Sequence, residues 1–63
     1  MNPIDAIRLA LEREKFAVKS YTEYAAAAQE APIREMFLYL AEEEKKHVRI
    51  LQDEIDRETK QEM

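Results

Sequence analysis

The sequence has no glycine, no cysteine and no tryptophan, and only two prolines among its 63 residues. Without glycine, and with proline nearly absent, the tight turns of β-rich architecture have little to work with. Without cysteine there is neither a disulfide framework nor a thiolate metal site. No run of about 18 apolar residues offers a transmembrane helix. Met1-Asn2-Pro3 leads straight to Asp5 and Arg8, with no basic region ahead of an apolar one. The expectation is a soluble cytoplasmic protein. A net charge of −4 and a pI near 4.9, with the cations interspersed among carboxylates, argue against a nucleic-acid surface or an anionic membrane as partner. A cationic ligand suits this balance better.

What is present favours helix throughout, since alanine, glutamate, leucine, lysine and arginine dominate. The predicted class is all-α, in one domain over residues 1–63. Asn2-Pro3 reads as an N-cap followed by proline at the first helical position, with Asp5 supplying a carboxylate in the first turn. Helix 1 is predicted over about 3–29, a turn at about 30–31, and helix 2 over about 32–59, begun by Pro32 and frayed from Glu58 to Met63. So short a turn folds the pair back as an antiparallel hairpin. A chain of this size gains little from a core of its own, which predicts oligomerisation, metal binding or both.

Projected at the helical period, Ile33, Phe37, Leu40, Glu44, His47, Val48, Leu51 and Ile55 share one face of helix 2. Glu44 and His47 are therefore predicted to point inward, where burial is costly unless something pairs them. Helix 1 shows the matching stripe of Ile7, Ala10, Leu11, Glu14, Ala17, Val18, Tyr21, Ala25 and Ala28, with Glu14 in a slot that asks for Leu or Ile. Folding the hairpin near position 30.5 brings level those residues whose numbers sum to 61. Glu14 then lies opposite His47, and Glu44 opposite the small Ala17. Two carboxylates and one imidazole reach a single layer. Leu9, Phe16, Tyr39 and Ile50, with Met36 between them, fall to one flank of the stripe, which suggests association beyond the hairpin. Glu42 and Glu43 project sideways as surface residues, with Glu42 able to pair with Lys46 at i, i+4.

Three ligands hold half of a metal site. Two hairpins on a two-fold axis would supply four carboxylates and two imidazoles, the inventory of di-iron and di-manganese carboxylate bundles. Carboxylates neutralise divalent cations, and imidazole favours iron over calcium or magnesium.

Glu14, Tyr21 seven residues on, and Ala41-Glu42-Glu43-Glu44-Lys45-Lys46-His47 together resemble the rubrerythrin-like branch of the ferritin-like superfamily, over about residues 4–56. With two helices rather than four, the chain looks closest to the hairpin kind, the encapsulated ferritins, whose centre forms between subunits. The resemblance implies a homodimer, or an assembly of dimers, making a four-helix bundle. It implies Glu14 as a terminal metal ligand, Glu44 as a carboxylate bridging two metals, His47 as a terminal nitrogen ligand and Tyr21 as a hydrogen-bond donor steadying a carboxylate. It further implies a di-iron centre that oxidises Fe(II) with oxygen or peroxide. Manganese or zinc could take the same ligands. The sequence lacks the four-cysteine rubredoxin segment of full rubrerythrins, and Glu58 to Met63 carries no apolar extension of the kind that targets cargo to an encapsulin shell. The readings of other classes are a metal-free helical scaffold, whose polar layer fixes register, and a structural zinc or manganese bundle.

Overall fold

A computed structural model describes residues 1–61 and shows two helices, α1 (Pro3–Ala27) and α2 (Ala31–Gln61), packed as an antiparallel hairpin. The start of α1 is fixed as its sequence requires. The Asn2 side chain accepts a 2.9 Å hydrogen bond from the Asp5 amide, and Pro3 occupies a first-turn position where its missing N–H costs nothing. The end of α1 comes earlier than helix propensity suggests. Ala28 is extended (φ −73°, ψ 130°) although it closes a run of four alanines, because the reversal needs non-helical residues that the proline-led second helix cannot supply. Its amide donates to the Ala25 carbonyl, and the Arg34 guanidinium donates to the Ala28 carbonyl at 3.4 Å, so a cation satisfies the exposed end of α1. α2 begins at Ala31, one residue before the expected start. Its first bond runs from the Arg34 amide to the Glu30 carbonyl. At the far end α2 continues helical through Gln61, where fraying from Glu58 was expected; Glu62 and Met63 lie outside the described residues.

The molecule measures 50 × 18 × 11 Å. Its smallest dimension is a single helix diameter, so the hairpin is one layer thick and both of its broad faces are open. Burial follows from that. Among the described residues, only Leu11, Ala25, Ala41 and Ile55 are buried, with Ile7, Val18, Tyr21, Phe37, Leu40, Val48 and Leu51 half-buried along the seam. The α1 stripe faces α2 as its periodicity requires. The α2 stripe is rolled relative to expectation: Ala41 faces α1 at 3% exposure, whereas Ile33 stays 43% exposed and His47 is exposed too. One neighbouring helix covers a strip narrower than the full apolar stripe, so the stripe's edge is left in the open. Leu9, Phe16, Met36, Tyr39 and Ile50 are likewise exposed. Among the described residues, no helix is long and apolar enough to cross a membrane.

Candidate metal centre

Glu14, Glu44 and His47 come together midway along the hairpin, each offering one ligand atom, all within 4.8 Å of one another. The local helical geometry makes half of the cluster. Glu44 and His47 are three apart on α2, so their side chains emerge on neighbouring lines, and His47 Nδ1 lies 3.2 Å from Glu44 Oε2. The hairpin makes the other half: Glu14 Oε2, on α1, lies 3.6 Å from the same Nδ1. The two residues that sum to 61 thus do meet across the seam.

The cluster sits at the edge of the interface and not inside it. Side-chain exposure rises from 19% at Glu44 through 30% at Glu14 to 51% at His47. His47 was expected to point inward and does not, because the roll of α2 that brings Ala41 against α1 carries the imidazole onto the open face. The three groups therefore form a half-ring with its mouth on that face, beside a shallow groove lined by Leu9, Ala10, Arg13 and Glu14. A second set of donors could approach from there.

The donor chemistry suits a divalent cation. Both carboxylates are acceptors only and turn an oxygen toward one point, with a borderline-soft nitrogen as the third donor. The group they share is the His47 ring, whose Nδ1 both carboxylates approach. Glu14, Glu44 and His47 would be the residues to hold a metal ion in this chain.

The remaining sequence-predicted residue is placed differently. Tyr21 stacks on Phe37 with ring centroids 6.1 Å apart, and Tyr24 meets both rings edge-on at 6.4 and 5.4 Å. These rings close the turn end of the seam. Among the described residues, no hydrogen bond joins the Tyr21 hydroxyl to Glu14 or Glu44, so in the single hairpin the tyrosine packs and steadies neither carboxylate.

One feature beside the cluster escaped sequence reasoning. The expected Glu42–Lys46 pair is absent; Glu42 pairs instead with Lys45, and Lys46 with Glu43, each at 3.2 Å and three residues apart. Tyr39 stands one turn earlier than Glu43 on the same helical line. Hydrogen bonds from Tyr39 and then Lys46 hold the Glu43 carboxyl below the usual carboxylate range, while that same Glu43 contact raises the Tyr39 phenol. A Tyr-x-x-x-Glu-x-x-Lys spacing on one helical line was the available signal.

No curated protein and no solved structure matches this chain. A family model does: the one described as Rubrerythrin matches residues 5–63, nearly the whole length. With a helical hairpin and a Glu, Glu-x-x-His group drawn to one point, the chain belongs to the rubrerythrin family.

Proposed function

We propose that the chain is a di-iron carboxylate protein that oxidises Fe(II) with oxygen or peroxide, at a centre completed between two copies. The observation that carries this reading is the convergence of Glu14, Glu44 and His47 from both helices to within 4.8 Å, on a face that the hairpin leaves open. Three donors leave any cation short of ligands. A second hairpin laid on that face would double the set to four carboxylates and two imidazoles, enough to neutralise and hold two metal ions. An iron pair bound there would supply two electrons, one from each Fe(II), to reduce oxygen or peroxide. The chain's own part is to bind and orient: Glu14 and Glu44 present anionic oxygens, and the Nδ1 edge of His47 turns toward them. The apolar residues on the same face toward the turn, Ile33, Met36 and Leu40, lose their contact with water once a second copy covers that face. Zinc or manganese would fit the same ligands without turnover.

Anaerobic titration of Fe(II) into metal-free protein, followed by exposure to air, tests the reading. Saturation at about two irons per pair of chains, with oxygen consumed as Fe(II) is lost, is the expected result. Saturable uptake with no oxygen consumption would leave a structural metal bundle. No uptake at all would leave a scaffold, whose polar layer is the Glu14–His47–Glu44 pairing already formed without a metal.

A further inference from the structure

We propose that the second copy lies head to tail on the first, α1 against α1, with Tyr24 of each seated in the groove beside Ala6 and Leu9 of the other; this rests on the shared metal centre proposed above. The broad face that carries the mouth of the cluster measures 50 × 18 Å. That is close to the ~800 Å² each partner gives a stable interface, so another hairpin is an occupant of the right size. Glu14 and His47 each fall within one residue of the middle of their helices, α1 (Pro3–Ala27) and α2 (Ala31–Gln61). A two-fold axis across the hairpin at that level overlaps two head-to-tail copies over their full length, whereas an off-centre cluster would leave ends uncovered.

Shape chooses the orientation. Ala10, Ala17 and Tyr24 are successive sevens on one line of α1, and Ala10 lines the groove that runs from Glu14 past Leu9 and Ala6 to Met1. Head to tail, positions equally far above and below the cluster meet. Ala17, three residues above Glu14, comes level with Ala10 of the other copy, four below. Two small side chains let the backbones approach where the half-sites must share ions. Tyr24, ten residues above, comes level with the stretch of groove between Ala6 and Met1, eight and thirteen below. Its ring is 52% exposed in the single hairpin and already meets Tyr21 and Phe37 edge-on, so it enters the groove held in one orientation. The in-register alternative, turn beside turn, lays α1 on the partner's α2. It sets Tyr24 against the exposed Ile33 and Met36 near the same level, so bulk meets bulk at the turn end and the groove stays unfilled.

Distances between spin labels test the orientation. The chain has no cysteine, so Q29C carries a single label at the exposed turn. With Zn(II) added to bring copies together, the two labels are expected about 45 Å apart, since position 29 stands fifteen residues from Glu14 and each residue adds about 1.5 Å in both copies. In register they would lie within about 20 Å, two helix spacings; that result overturns this inference and leaves the shared centre standing. A6F, which fills the groove, and Y24A, which leaves it empty, are each expected to weaken the Zn(II)-loaded dimer about tenfold by sedimentation. Circular dichroism checks that each variant is helical. Tyr24 also packs within its own hairpin, so A6F decides: an A6F dimer as tight as wild type overturns the seating of Tyr24. A wild type that takes up no Zn(II), or stays monomeric when saturated with it, overturns the centre shared between copies, and this inference with it.

Discussion

Glu14 and His47 are separated by most of the hairpin in sequence, yet Glu14 Oε2 stands 3.6 Å from His47 Nδ1. The contact depends on turn length, because one residue more or less in the turn shifts one of the two side chains by about 1.5 Å along its helix and by about 100° around it. Replacing either residue removes one of three donors while leaving both helices intact. E14A and H47A are each expected to abolish saturable Fe(II) or Zn(II) uptake, with helical circular dichroism within a few per cent of wild type. Retained stoichiometric binding by both variants would contradict the ligand assignment.

Core packing sets a second expectation. Ala25 and Ala41 are the two least exposed of the described residues, at 2% and 3%, and their small side chains mark where the helices lie close. Enlarging one of them forces the backbones apart. A41L is expected to lose about 1–3 kcal/mol from overpacking, and L11A about 2–5 kcal/mol from the cavity it opens, read as lowered midpoints in urea at fixed protein concentration. An A41L chain as stable as wild type would mean that the seam is looser than its burial implies.

Much of this was legible from residue spacing, and the failures have a common cause. The α1 stripe, the Asn2 cap and the level of Glu14 with His47 follow from period, cap chemistry and turn position, which are local quantities. The exposure of His47 and Ile33 does not follow, because the α2 stripe is wider than the strip one neighbour covers and periodicity cannot say which edge is left out. Ala41 shows the same limit from the other side. A small residue carries almost no hydrophobic signal, yet it takes the most buried place on α2. The pairing of Lys46 with Glu43 in place of Glu42 turned on rotamers, which sequence spacing leaves open between i, i+3 and i, i+4.

Acid sensitivity should carry a signature from α2's distal half. The Glu54 carboxyl is held below its ordinary value, first by the Arg57 hydrogen bond and also by Glu58, so folding favours its ionised form. A depressed carboxyl stabilises the fold above the unfolded-chain value and loses that contribution as pH falls through the folded one. E54Q should therefore melt below wild type at neutral pH and converge with it as the solution becomes more acidic than the ordinary carboxylate range. The gap should narrow in high salt because the pair is exposed. Melting curves across pH at two ionic strengths check this; a gap that widened toward acid would reverse the sign of the argument.

Assembly provides the last expectation, because it separates a centre shared between chains from one held by a single hairpin. Ile33, Met36 and Leu40 continue the His47 line toward the turn, with Ile33 and Met36 43% and 46% exposed, so they lie on the same open face as the mouth of the cluster, about 10 to 21 Å along α2 from His47, without supplying a ligand. If a second copy closes that mouth, a charge placed among them must be desolvated in the assembly but not in the free hairpin. M36D is then expected to shift the sedimentation profile toward monomer and to weaken Zn(II) or Fe(II) binding, although Glu14, Glu44 and His47 are untouched. By the same linkage, added metal should drive wild-type chains together, and dilution should release metal, since whatever binds only the assembled form stabilises it by mass action. Metal affinity in M36D equal to wild type, at concentrations where M36D is monomeric, would place a complete site within one hairpin.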